Sequence, residues 1–343
     1  MRNWRWPWFL GLAVAAVALL IAAPWGAERG AGELGSPTFG DAFWKLWGDG
    51  HAELAGYDLS YSRYGELRRG TAVTIFVSET FANNPRVKHE DPGRGESETV
   101  PVMKLNLMQD FPTGIYDYNL MTSAFVALAA ANGLPAGRPT KVAFSSQDWC
   151  GQVYSQLLFD SGVTRFESHS YFDGEANQER ALDAPENGVA EDALLLWARG
   201  MTAPLLEPGQ RREVKLLRSL ELSRLGHLPP AWENATLSRS DRIRTIVVPA
   251  GEFEVDELGV AVSSSSTNRS YPPTHPRIEL PSRTWTFYVE HAPPYRVIKW
   301  ERDDGTSAEL LASSRLQYWA LHGPGFETEL KKLGLKARPP RTP

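Results

Sequence analysis

The chain has 343 residues, 42% hydrophobic and 11% aromatic, enough to bury a large core, and this excludes disorder for most of its length. Charged residues make up 22% and the formal net charge is -5, so the basic excess that neutralises nucleic-acid phosphates is missing and we expect no nucleic-acid partner. The single cysteine excludes an internal disulfide bond, so we expect stability to come from packing.

The N-terminus predicts export. Arg2 and Arg5 precede the almost purely apolar run 9–23, a pattern typical of a signal peptide. Tryptophans flank this run, as they do around a segment that stays in the membrane with its arginines inside. We assign residues 1–27 to a signal peptide or an N-terminal membrane anchor. Both alternatives place the body outside the cytoplasm, either periplasmic or membrane-anchored. The glycine-rich stretch 28–40 predicts a flexible spacer.

The first elements after the spacer are a short helix and two hairpins. Phe43, Trp44 and Trp47 recur at helical spacing, which predicts a docking helix over 41–47. From Glu53 onward the apolar period changes to two, which predicts a β-hairpin that turns at Arg68-Arg69-Gly70. A second hairpin is predicted to turn at Pro112-Thr113-Gly114.

Further strands are predicted along the rest of the chain. Segments 140–160 and 162–177 are rich in β-branched and aromatic residues and are separated by Asp160-Ser161-Gly162. A helix is predicted over 190–201, with acidic residues in its first turn. From residue 210 onward, short strands alternate with turn signals, and a serine- and proline-rich loop lies between Val262 and Ser282.

This pattern predicts a mainly β protein with a minor α+β component. We expect a large curved antiparallel sheet, forming a sandwich or an open barrel, with a few short helices. Residues 41–325 are predicted to form a single β-rich domain, which is either undivided or made of two sub-lobes, 41–220 and 221–325. Residues 326–343 are basic and proline-rich at their end and predict a frayed tail.

Cys150 is a low-ranking candidate nucleophile. A catalytic thiol needs a nearby base and surroundings that favour the thiolate. His169 is the candidate base and Asp173 the candidate orienting acid, one hairpin further along the chain. However, the residues just before the thiol are an aspartate and a tryptophan, which do not favour a thiolate. The alternative is that Cys150 is a buried packing residue of a strand, and we favour this interpretation.

The same region offers oxygen and imidazole donors for a metal. His169, Asp173, Glu175 and Glu179 surround a glycine that permits a bend, as in loops that bind hard cations. The full calcium-loop spacing is absent, and an Asp-Gly hairpin turn with solvated acids explains the same residues. The sequence therefore predicts no metal and no other cofactor. The candidate ligands for the alternative, a bound metal, are His169, Asp173 and Glu175.

Aromatic residues are concentrated in the C-terminal strands. Nucleophile-elbow, zinc-protease, P-loop and dinucleotide-binding motifs are all missing from the sequence. Trp285, Phe287, Tyr288 and Trp300 lie in successive predicted strands. They either fill a core or line an apolar cavity in the curved sheet, and in the second case they are the ligand-binding candidates.

The segments "VPAGEF" (248–253), "WTFY" (285–288) and "VIKW" (297–300) resemble the C-terminal half of exported bacterial proteins of the DUF3108-like kind. The resemblance covers about the last 90 residues of the body and implies a curved antiparallel sheet akin to the open barrels of periplasmic lipoprotein carriers. It brings no catalytic residue. Similar proteins are sometimes labelled septum formation inhibitors of the Maf type, but this chain has only Ser36-Pro37 where that family has an S-x-S-P-R-R motif.

Two functional hypotheses follow. In the first, the protein is exported to the cell envelope and binds or carries a ligand non-enzymatically on its curved sheet. Its partners would then be an apolar ligand or an envelope component, and the membrane through the N-terminal segment. In the second, it is a cell-envelope hydrolase or transferase that uses Cys150 with His169, or a metal held by the acid cluster.

Overall fold

The computed structural model describes residues 35–267 and 278–336. The predicted signal peptide or anchor, most of the spacer, the centre of the serine- and proline-rich loop and the last seven residues lie outside the described residues. Within them the protein is mostly β-strand, as predicted.

Eighteen strands are described. They are β1 (Ala52–Arg63), β2 (Glu66–Ala82), β3 (Val87–Lys88), β4 (Thr99–Thr113), β5 (Tyr116–Ala127), β6 (Pro139–Asp148), β7 (Gly151–Asp160), β8 (Val163–Ser170), β9 (Gln178–Asp183), β10 (Gly188–Ala190), β11 (Arg211–Leu217), β12 (Trp232–Val248), β13 (Gly251–Val262), β14 (Ser265–Thr267), β15 (Ile278–Leu280), β16 (Arg283–Glu290), β17 (Val297–Arg302) and β18 (Ser307–Leu316).

The helices in the described residues are short. The α-helices are α1 (Asp41–Trp47), α2 (Leu194–Ala198) and α3 (Leu220–Gly226). Four 3-10 segments accompany them: Glu96–Glu98, Glu191–Ala193, Tyr318–Ala320 and Phe326–Leu333. The predicted docking helix over 41–47 is confirmed, and it buries Phe43 and Trp47. The helix predicted over 190–201 is shorter than expected, with a 3-10 turn that leads into α2.

Sixteen strands form one sheet. Its order is β10-β11-β12-β13-β16-β17-β18-β1-β2-β4-β5-β6-β7-β8-β9, and β3 pairs with β2. Neighbouring strands are antiparallel apart from β10 and β11, which run parallel. The two predicted sub-lobes contribute to this same sheet and to one large core cluster.

The sheet curves until its two edge strands come together. Residues 184–187 connect β9 directly to β10, although these strands lie at opposite ends of the strand order. The indole Nε1 of Trp232, in β12, donates a hydrogen bond to the carbonyl of Asp183 at the end of β9 (2.6 Å). α2 contacts β16, whereas α3 contacts β6 and β7, so helices lie between strands that are distant in the sheet order. The short helices therefore fill the inside of the curve.

Three sequence predictions need correction. The first hairpin turns at Tyr64-Gly65 and not at Arg68-Arg69-Gly70, because both central residues have positive φ (58° and 76°), as a tight two-residue hairpin turn requires. Segment 140–160 contains two strands, β6 and β7, joined at Trp149-Cys150. The tail is not frayed over Phe326–Leu333, since Leu333 is buried in a small cluster with residues of β1 and β2.

Candidate functional site

Three of the four aromatic candidates pack inside the curved sheet. Phe287 and Trp300 are directly opposite in β16 and β17, and both are buried. Trp285 stacks on Phe287 with ring centroids 6.0 Å apart. Tyr288 belongs to the opposite face, where its hydroxyl donates to Glu301 (3.0 Å). Burial and this carboxylate together raise the pKa of Tyr288 to about 12. The aromatic set is thus divided between the two faces of the sheet.

A small cavity lies beside these rings. Its volume is about 60 Å³, and Trp285, Phe287 and Trp300 line it together with Glu191, Asp192, Glu221 and several uncharged side chains. Since a buried water needs about 10–15 Å³ of such space, the cavity accommodates a few water molecules but no larger ligand. The three aromatic rings therefore contribute mainly to the core in this conformation.

The carboxylates around this cavity are largely satisfied by protein donors. Glu191 accepts hydrogen bonds from the Arg283 guanidinium, the indole Nε1 of Trp285 (2.9 Å) and the backbone N–H of Ser219 (3.0 Å). Burial alone would lower the pKa of Arg283, but the carboxylates of Glu191 and Glu233 outweigh it and raise that pKa. Because Glu191 already has this set of donors, it holds the interior together and is not left free to react.

Asp192 differs from Glu191. Its carboxyl accepts the backbone N–H of Leu220, at 3.1 and 3.3 Å from its two oxygens, and no arginine or lysine pairs with it among the described residues. Burial of the carboxyl away from water raises the pKa of Asp192 well above its usual value, and the charges of Glu191 and Glu221 add to this effect. Glu221 itself accepts from the hydroxyl of Tyr61 (2.5 Å) and from Nε2 of Gln109 (2.6 Å). Asp192 therefore tends to keep its proton.

A much larger cavity, of about 660 Å³, lies where the two edges of the sheet meet. We call it the edge groove. Its volume is in the range of small-molecule sites. Its lining residues come from the β5–β6 connection, the β7–β8 turn, the β9–β10 link and their neighbours: Ser36, Leu134, Pro135, Arg138, Pro139, Phe159, Asp160, Ser161, Gly162, Thr164, Ala184, Pro185, Glu186, Asn187, Gly188, Ala190 and Trp232.

The edge groove combines apolar walls with a few charged groups. Phe159 and Trp232 provide its large apolar side chains. Asp160 is paired with both Arg86 and Arg165. Arg138 is partly buried, and burial lowers its pKa with no contribution from a neighbouring charge. The described residues provide no hydrogen-bond acceptor or carboxylate for its guanidinium. A concave, largely apolar site with a cation that no described residue pairs is suited to hold an organic ligand.

Cys150 is exposed, so the interpretation of a buried strand cysteine is wrong. It occupies the tight β6–β7 turn, where its backbone N–H donates to Oδ1 of Asp148 (2.6 Å). His169 lies in β8 opposite Tyr154 of β7, and its Nδ1 is 3.1 Å from Oδ1 of Asn177. Neither the imidazole nor Asp173 makes a hydrogen bond to Cys150 within the described residues. This geometry gives no support to a Cys-His-acid arrangement.

The donors considered for a metal are separated. Asp173 is exposed in the turn after β8, and its Oδ1 accepts from the backbone N–H of Gly174 (3.0 Å). Glu175 is buried and pairs with His227 of the α3 C-terminus, Oε1 to Nδ1 at 2.8 Å. His169 bonds to Asn177 instead. Across residues 35–267 and 278–336 we found no grouping of three or more metal-binding side chains.

Comparisons of the chain with protein-family models, with curated proteins and with solved structures gave no match. Among the described residues, the helices are too short or too polar to cross a membrane. The geometry of the molecule itself is thus what supports a functional interpretation.

The edge groove was not identified from the sequence. Its walls come from five separate stretches of chain, and it exists only because the curved sheet brings β9 next to β10. Arg138 follows a glycine in a connection between strands and looks like an ordinary surface residue. One signal was available: the run "NGLPAGRP" (132–139) is unusually rich in glycine and proline, which marks a fixed backbone path.

Proposed function

We propose that this protein is a non-enzymatic binding or carrier protein of the cell envelope, and that the edge groove holds its apolar ligand. The observation that supports the proposal is the 660 Å³ cavity between the two sheet edges, walled by Phe159, Trp232 and smaller apolar residues. The small interior cavity at Trp285 and Trp300 is about ten times smaller and does not compete as a ligand site.

The alternative, a hydrolase or transferase, has weaker support. Cys150 lies in a solvent-exposed turn, and the described hydrogen bonds provide no base or orienting acid for it. A nucleophilic thiol requires such a base within about 3 Å, or another group that stabilises the thiolate. A binding role needs only shape, apolar contact and a few polar groups, all of which line the edge groove.

Export and attachment to the membrane belong to the same proposal. They rest on the sequence pattern of residues 1–27, in which two arginines precede an apolar run. Cys150 offers a direct test because it is the single cysteine and is exposed. A membrane-impermeant maleimide added to cells with a permeabilised outer barrier should label it. A label that enters only after the inner membrane is dissolved would place the body in the cytoplasm and contradict the proposal.

Photo-crosslinking tests the ligand site. The full-length protein in phosphatidylcholine nanodiscs is irradiated with a diazirine derivative of a long-chain alcohol, and labelled peptides are mapped by mass spectrometry. We expect labels in 134–139, 159–164 and 184–190, which wall the groove. Ala184→Trp, which places a large side chain in the groove, should remove most of that labelling.

Ala181→Trp is the matched control. Ala181 is an exposed residue of β9, three residues before Ala184, and is not part of the groove lining. This variant should be labelled like the unmodified protein. If both tryptophan variants keep full labelling of the groove peptides, or if these peptides are never labelled, the groove is not the ligand site.

A further inference from the structure

We propose that the ligand of the edge groove is an amphiphile with an anionic head group, a carboxylate or a phosphate, bound by Arg138. This inference rests on the proposed function and adds the chemical class of the ligand. It begins from the charges in the groove, because a partly buried arginine with no paired carboxylate in the described part of the chain is unfavourable unless a ligand supplies a counter-charge.

Arg138 contrasts with two fully buried arginines of this protein, Arg199 and Arg218. Arg199 is paired with Glu53, and Arg218 with Glu233, in both cases by hydrogen bonds of 2.7 Å or less. Arg138 lines a large cavity, is partly buried, and forms no ion pair with a carboxylate among the described residues. Its guanidinium therefore keeps its hydrogen-bonding capacity for a group that enters the groove.

Among the described residues, the other charges of the groove leave that cation without a close counter-charge. The carboxylate of Asp160 is neutralised by Arg86, which is itself buried, and by Arg165 at 2.9 Å. Glu186 is exposed to solvent, where its charge is screened. With Asp160 flanked by two arginines, the charge balance at this end of the groove favours a negative ligand.

The backbone that carries Arg138 is fixed before any ligand binds. The carbonyl of Arg138 accepts a hydrogen bond from the N–H of Ala127 (3.0 Å). The carbonyl of Gly137 accepts two, from the N–H of Ala203 (3.0 Å) and from Oγ1 of Thr202 (2.7 Å). Gly137 has a φ of 78°, and a Cβ added there would lie 2.3 Å from Pro37. A cation on such a fixed loop is pre-organised, which reduces the entropy lost on binding.

The apolar walls determine the other half of the ligand. Phe159, Pro139 and Leu134 line the groove near Arg138, and Trp232 and Ala190 line the opposite sheet edge. Inorganic phosphate would satisfy the cation but leave these walls in contact with water. A hydrocarbon alone would cover the walls but leave the cation desolvated and unpaired. An amphiphile with a carboxylate or phosphate head satisfies both.

The test measures how well unlabelled competitors reduce the photo-crosslinking of the groove by the diazirine alcohol. The competitors are dodecyl phosphate, dodecanoate and dodecanol, which have equal chain lengths, and inorganic phosphate as the free anion. The unmodified protein, Arg138→Gln and Arg138→Lys are compared in phosphatidylcholine nanodiscs. Each competitor enters the lipid to the same extent in all three samples. The ratio, between two variants, of the competitor concentration that halves the labelling therefore measures the contribution of the head group.

We expect Arg138→Gln to weaken competition by dodecyl phosphate and dodecanoate about 10- to 100-fold, the range for a lost charge-assisted hydrogen bond. Competition by dodecanol should change less than about twofold. Arg138→Lys keeps the charge but not the planar fork, so it should weaken competition by the two anionic amphiphiles less than Arg138→Gln does. Thermal unfolding of each variant verifies that the fold is retained, and the lysine variant serves if the glutamine variant is unstable.

Three results would overturn the inference, and they differ in what else they affect. If all three amphiphiles compete equally and Arg138→Gln changes none of them, the groove binds chains but Arg138 does not recognise a head group, and the proposed function stands. If inorganic phosphate competes as well as dodecyl phosphate, the site binds a free anion. If no probe competes and the groove is never labelled, the proposed function fails with the inference.

Discussion

The buried ion pair between Glu53 and Arg199 provides a sharp test of how this fold is held together. Arg199, just after α2, donates from Nη1 to Oε1 of Glu53 (2.6 Å) and from Nη2 to Oε2 (3.1 Å) and to the carbonyl of Pro294 (2.8 Å). The exposed fractions of the two side chains are 0% and 5%. The pair joins β1 to the interior helix and to the β16–β17 connection.

Replacing one partner leaves the other charge buried without its counter-charge. For Arg199→Met we expect a loss of about 3–5 kcal/mol in the free energy of unfolding. For a domain of about 300 residues, with an unfolding entropy of about 2.1 cal/mol/K per residue, this lowers Tm by about 5–8 °C. Glu53→Gln also removes a charge but keeps hydrogen-bonding groups, so a somewhat smaller decrease is expected.

The double variant Glu53→Met with Arg199→Met distinguishes a charge effect from lost packing. Replacing both charges by apolar groups is often close to neutral, so the double variant should be more stable than Arg199→Met alone. Differential scanning calorimetry provides Tm and the unfolding enthalpy of each protein. A Tm change below about 1 °C for Arg199→Met, or strictly additive effects in the double variant, would refute the reasoning.

Two further predictions concern single groups. The pKa of Asp192 is raised in the folded protein, so the folded state binds the proton more tightly than the unfolded chain does. The free energy of unfolding therefore decreases as the pH rises above the pKa of this carboxyl in the unfolded chain, about 4. Asp192→Asn should therefore gain stability relative to the unmodified protein at pH 7 but not at pH 3, measured by thermal unfolding; equal differences at both pH values would contradict this. Cys150 is exposed, so a thiol reagent should label it in the folded protein at a rate within about tenfold of the unfolded chain. Labelling only upon unfolding would contradict the exposed turn.

Hydrophobic periodicity predicted the mainly β fold and the order of many elements, because alternation along a strand depends on which face is buried. It predicted the docking helix at 41–47 and the second hairpin close to its observed turn. Both the predicted turn, Arg68-Arg69-Gly70, and the observed turn, Tyr64-Gly65, contain a glycine. The observed turn was missed because Tyr64 is an unusual residue at positive φ.

Local sequence patterns could not predict which distant segments pair in the sheet. The parallel contact of β10 with β11 joins residues about 27 apart in sequence, and neither strand shows a parallel-sheet pattern. The sequence placed the aromatic residues of β16 and β17 in successive strands, but it does not distinguish a core from a ligand cavity. That distinction depends on the helices inside the curve, which reduce the space beside Trp300 to about 60 Å³.

The position of the groove fits a ligand that comes from a membrane. Ser36, the second described residue, is part of the groove lining, and the neighbouring Pro37 packs on Gly137 next to Arg138. The apolar run ends at Ala23, so 12 residues lie between it and Ser36, which span at most about 45 Å when fully extended. If residues 9–23 stay in the membrane, as proposed, the tether keeps Ser36, at the wall of the groove, within that distance of the lipid head groups. An anionic amphiphile is a molecule that such a surface supplies, so the chain path and the charge of the groove favour the same class of ligand.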